Sequence, residues 1–145
     1  MRKLVIAISM LALAGTAAFA DPIADRQALM KERGKIVAGL SKFVKGEETY
    51  DAAAVMTALK ALEANGEKFD VEALFPAGSD QGDTEASPKI WEDKAGFNAA
   101  EDKYVQAVKA AVQAAPADAD ALKAQFGPIG ASCGGCHQAY RVKKS

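Results

Sequence analysis

At 145 residues the chain has room for one domain and no more. Half of it is apolar, 26% is charged and the formal net charge is -1, which excludes a disordered acidic tail and a disulfide-dense mini-protein. The same balance argues against a nucleic-acid partner, which requires a basic excess. Two cysteines and one histidine leave little material for a metal or acid–base site, so the chemistry can be located almost by elimination.

Residues 1–20 read as a cleaved secretory leader. Arg2 and Lys3 precede an apolar run over 4–13 broken only by Ser9, and Ala18-Phe19-Ala20 fits a small-residue cleavage site before Asp21. The run is too short and wrongly flanked for a membrane span. No second long apolar run follows, so residues 21–145 are expected to form a single domain, exported to an oxidising compartment, with no stable membrane insertion.

That domain is rich in alanine, the best helix former, and lacks alternating strand patterns. The first helix should start at Asp21-Pro22, an N-cap followed by proline, and end at Gly46. Ile23, Met30, Val37 and Val44 recur every seven residues, with Leu29, Ile36, Leu40 and Phe43 in the adjoining row. A second helix runs from Thr49 or Asp51 to Ala64, with Val55, Leu59 and Leu62 inward and Asn65-Gly66 as its stop. A helical turn over 70–74 and a loop from Phe75 to Thr84 come next. Ser87-Pro88 opens a third helix that continues to Pro116. The last helix begins near Asp118, kinks at Gly127-Pro128 and resumes to about Val142. The expected fold class is all-α: an antiparallel up-down-up-down four-helix bundle with its cofactor between facing helices.

Cys133-Gly134-Gly135-Cys136-His137 is C-x-x-C-H, the attachment motif for haem c. At 100° per residue, Cys136 lies about 60° to one side of Cys133 and His137 about 40° to the other. All three leave the helix on one face. Two thiols can then add across two vinyl groups of one porphyrin, while the imidazole reaches the iron. A thioredoxin-like dithiol requires a strand before the C-x-x-C, and a structural zinc requires four Cys or His ligands. A plain disulfide would leave His137 unexplained.

With no second histidine, methionine is the usual partner on the other side of the iron. Met30 and Met56 remain once the leader is removed. Met30 lies on the inward row of the first helix, with Gly34 leaving room nearby; Met56 sits beside its row. The ordinary role of either is core packing. Arg26, one turn before Met30, and Arg141, one turn after His137, are candidates to pair with haem propionates. Trp91 is expected in the core or on the haem edge. Lys89, Lys94, Lys143 and Lys144 are candidates to frame an exposed edge for docking.

The chain resembles the class II c-type cytochromes, the cytochrome c′ family. The run from Gly130 to Arg141 fits that family's terminal haem motif, and Tyr50-Asp51-Ala52-Ala53 and Ser87-Pro88-Lys89-Ile90-Trp91 look like the starts of its second and third helices. The resemblance covers nearly all of residues 21–145. Family members with an apolar distal residue have five-coordinate iron. Those of the cytochrome c-556 group have methionine there, and Leu29-Met30-Lys31 looks like that pattern. The resemblance implies Met30 as a sixth ligand and Arg26 at a propionate.

The leading expectation is therefore a periplasmic carrier of single electrons, with one haem c held through Cys133 and Cys136 and ligated by His137 and Met30. Its partners would be periplasmic redox proteins, and the family occurs as monomers and homodimers. The alternative is a five-coordinate haem protein that binds nitric oxide or carbon monoxide. A peroxidase-like enzyme is disfavoured, since no distal histidine is on offer.

Overall fold

The computed structural model describes residues 21–142. The leader over 1–20 and the docking candidates Lys143 and Lys144 lie outside them. Six helices follow in order: α1 Pro22–Lys45, α2 Ala52–Glu67, α3 Val71–Leu74, α4 Lys89–Glu92, α5 Lys94–Ala114 and α6 Ala119–Tyr140. The four long ones, α1, α2, α5 and α6, form the bundle. Short connections after α1 and α5 place consecutive helices side by side and antiparallel. An isolated bridge between Ala86 and Arg141 is the only β pairing among the described residues. None of the described helices is long and apolar enough to cross a membrane.

Each long helix begins where the sequence supplies an acceptor. Asp21 accepts from the amides of Ile23 and Ala24, Asp51 from Ala53 and Ala54, and Asp118 from Ala121. At the other end of α1, Gly46 takes the left-handed conformation (φ 71°) and its amide closes on Lys42 and Phe43.

The expected third helix is in fact two. The chain breaks at Asp93, whose side chain turns back to accept from the Gly96 amide and starts α5 afresh. Tyr140 of α6 donates its hydroxyl to the same carboxylate at 3.0 Å. These bonds, with the backbone bond to Gly96 the stronger influence, hold the Asp93 carboxyl below its usual pKa. A Cβ on Gly96 would collide with both Asp93 and the Tyr140 hydroxyl. Gly96→Ala should accordingly destabilise the protein by about 1–3 kcal/mol, the usual cost of overpacking; a lowered urea midpoint with unchanged slope is the measurement.

Two other boundaries also differ. α2 passes through Asn65 and Gly66, which are buried against its neighbours rather than ending it. α6 passes through Pro128 without interruption and stops at Tyr140, where Arg141 turns extended. There the Ser87 amide donates to the Tyr140 carbonyl and the Val142 amide to the Glu85 carbonyl, which stitches the end of α6 to the long α3–α4 connection.

The core has two parts. The central one gathers Leu40, Val55, Leu59, Leu62, Val108, Leu122 and Ile129 where α1, α2, α5 and α6 meet. The second, at one end of the bundle, is aromatic: Phe75, Phe97 and Tyr140 pack edge to face, Phe69 lies tilted against Phe75 and Phe97, and Met30 and Cys136 pack against the cluster. Met56 packs on the central part.

Candidate functional site

The aromatic end of the bundle holds a cavity of about 570 Å³, within the usual range for a small-molecule or cofactor site. α1 contributes Arg26 and Met30, α6 contributes Cys136, His137, Tyr140 and Arg141, and the connection over 75–88 closes the third side through Phe75, Thr84 and Glu85. A second, much smaller cavity of about 30 Å³ adjoins Cys133. Met30, Cys136 and His137 line both. The structure thus gathers Cys133, Cys136, His137 and Met30 at one place, and leaves Met56 in the core away from it.

Both cysteines are free and half-buried. Burial pushes the Cys133 thiol up and the Cys136 thiol to about 11, so both stay protonated near neutral pH. His137 moves the other way. Desolvation, then the charges of Arg141 and Arg33, lower its pKa, so the neutral imidazole that can ligate a metal persists to lower pH. Gly134 and Gly135 are exposed, and nothing lies within 4 Å of a Cβ built on either. Two free thiols a helical turn apart, a neutral imidazole beside them and a cavity of this size fit haem c. Gly34 is exposed and lines neither cavity.

Arg26 is 4% exposed and reaches across to the α3–α4 connection. One terminal nitrogen donates to the Leu74 carbonyl and to Ser79 Oγ, both at 3.0 Å; the other donates to the Ser79 carbonyl at 2.6 Å and Thr84 Oγ1 at 2.8 Å. Its guanidinium also stacks 4.7 Å from the Phe75 ring. The residue expected at a propionate therefore borders the cavity but spends its four terminal N–H groups on holding the cavity wall. Arg141 borders the cavity too and pairs with Glu85. Trp91 packs on Phe75 and donates its indole N–H to the Phe75 and Pro76 carbonyls, a further tie on that connection. Of the lysines expected around an exposed edge, Lys94 pairs with Glu72 and Lys89 lies 5.5 Å from the Tyr140 ring.

Sequence reasoning missed the ionic part of the site. Arg33 and Glu101 line the small cavity beside Cys133 and His137 and are bonded to each other. The seven-residue spacing of Arg26, Arg33 and Leu40, the three buried residues of α1, was the available signal.

A helical bundle carrying a C-x-x-C-H face beside a cofactor-sized cavity defines the class of bundled c-type cytochromes. The family model for cytochrome c′ matches residues 21–141, and the chain belongs to the cytochrome c′ family. It is 41% identical over 126 residues to a cytochrome c′ of Rhodopseudomonas palustris, covering 86% of this chain and 84% of that one. It is 35% identical to a cytochrome c-556 of Agrobacterium fabrum, covering 90% and 88%. Among solved structures it is similar to the nitric oxide complex of a cytochrome c′ mutant from Alcaligenes xylosoxidans, with a TM-score of 0.76, 34% identity and coverage of 86% and 95%. Membership of this family makes the chain a haem protein.

Proposed function

We propose that the chain is a periplasmic haem protein, with one haem c joined to Cys133 and Cys136, that binds a diatomic gas such as nitric oxide or carbon monoxide on its distal side. The family match and the nitric oxide complex of a relative favour this reading over pure electron transport. Haem bound here supplies an iron able to take a small ligand or exchange one electron. His137, on α6, would supply an imidazole to its iron. Met30 stands on α1 as the side chain an incoming gas meets, and it is unbranched and adaptable enough to swing aside. The Arg26-braced connection keeps the cavity wall in place. No distal acid–base group is assigned, and we propose no enzymatic reaction.

A second reading has its own support. Met30 lines both cavities together with His137, as a sixth ligand to the same iron would, and cytochrome c-556 proteins are among the relatives. The protein would then carry single electrons between periplasmic redox partners, with the thioether favouring ferrous iron.

Covalent attachment is tested first. The purified protein, denatured and extracted with acidic organic solvent, should keep its colour on the polypeptide; quantitative extraction of the haem would refute the thioether assignment. The ferrous absorption spectrum with and without carbon monoxide then separates the two readings. A prompt change at low gas concentration supports gas binding, and an unresponsive low-spin spectrum supports the carrier.

A further inference from the structure

Beside the haem motif the fold buries a salt bridge, Arg33 with Glu101. Arg33 and Glu101 are 6% and 7% exposed. The two terminal nitrogens of Arg33 donate to the two carboxylate oxygens of Glu101 at 3.0 and 2.7 Å. Its Nε donates to Asn65 Oδ1 at 2.9 Å, and its guanidinium lies 3.8 Å from the Tyr104 ring centre. Asn65, fully buried, donates in turn to the Leu29 carbonyl and to Glu32. The other ion pairs among the described residues are partly or well exposed. Taking two charges out of water costs several kcal/mol per ion, and apolar side chains of similar volume often do as well. The position of this pair is therefore the point of interest. Both partners line the small cavity with Met30, Cys133, Cys136 and His137.

We propose that Arg33 and Glu101 form a buried charge balance that sets the reduction potential of the haem, Arg33 raising it and Glu101 lowering it. The inference rests on the haem reading above but not on the choice between gas binder and carrier. Oxidation adds one positive charge at the iron. A nearby cation opposes that charge and a nearby anion favours it, and both effects are strong where water is excluded. Held in a two-pronged contact, the two fields largely cancel. Removing either partner leaves the other uncompensated. Asn65 is a positioning residue: it fixes the Arg33 guanidinium and, through the Leu29 carbonyl, the turn of α1 that carries Met30.

The test is a spectroelectrochemical titration of the haem-loaded protein at one alkaline pH, where an unpaired carboxylate keeps its charge. Glu101→Gln should shift the midpoint potential up, because the arginine left behind cannot lose its proton. Arg33→Met should shift it down. The double variant should return close to wild type, and Arg33→Lys should shift it less than Arg33→Met. Unchanged absorption spectra in each oxidation state must accompany the shifts, since loss of an axial ligand would move the spectrum as well. A merely structural role predicts the same direction for both single variants, and that result, or no shift in either, overturns the proposal. Should Arg33→Met not fold, Glu101→Gln alone decides by the sign of its shift. A wild-type protein without covalent haem refutes the parent reading and this one with it, whereas same-sign shifts in haem-loaded variants refute this one alone.

Discussion

Met30→Ala should raise the carbon monoxide affinity of the ferrous protein by at least about tenfold, worth roughly 1.4 kcal/mol. Met30 borders both cavities beside His137, so a gas approaching the iron from α1 must displace it or pass it. If its thioether ligates the iron, the variant also turns high-spin and becomes easier to oxidise, because the ligand that favours ferrous iron is gone. If the thioether only screens the site, the spin state is unaltered and the affinity alone rises. Met56→Ala should change neither spectrum nor affinity. That side chain packs on the central core, and its loss costs packing of order 2 kcal/mol. Gas titrations of the wild type and both variants make the check. Equal affinities in all three would remove Met30 from the site.

Glu101→Ala should lower stability by about 3–5 kcal/mol, the range for leaving one half of a buried ion pair uncompensated. Arg33 would keep its charge, with only Asn65 Oδ1 and the faces of Tyr104 and Phe69 around it. Adding Arg33→Met to that variant should recover part of the loss, because no charge is then left unpaired. Urea unfolding of wild type, single and double variants measures this. An additive double variant would show that the two residues do not act as a unit.

The haem motif was legible because its chemistry is local. Five consecutive residues carry both thiols and the imidazole, and helical geometry alone puts them on one face. The bundle was legible from caps and apolar spacing for a similar reason. What the sequence hid was polar and long-range. The apolar rows of α1, through Met30 and through Leu29, turned out, Leu40 apart, to flank the buried midline. That midline is Arg26, Arg33 and Leu40, and a search for apolar residues passes over two of the three. Arg33 is buried because Glu101, 68 positions away, meets it; Arg26 is buried because the connection near Ser79 and Thr84 folds over it. Asn65-Gly66 reads as a stop by propensity, yet three hydrogen bonds reaching α1 hold Asn65 inside the fold. The break at Asp93 depends on Tyr140, a residue of another helix.

The two glycines of the haem motif turn away from the side of α6 that carries its thiols and imidazole. Gly134 and Gly135 face open space and make no turn, so the polypeptide by itself has no use for them. In a helix interior each forgoes about 1 kcal/mol relative to alanine. Alanine at either position should thus firm up the helix by up to that amount while the thiols and the imidazole, which leave α6 on another side, keep their places. The two spacers of the motif therefore hold α6 below the stability its length could reach, at positions that line neither cavity.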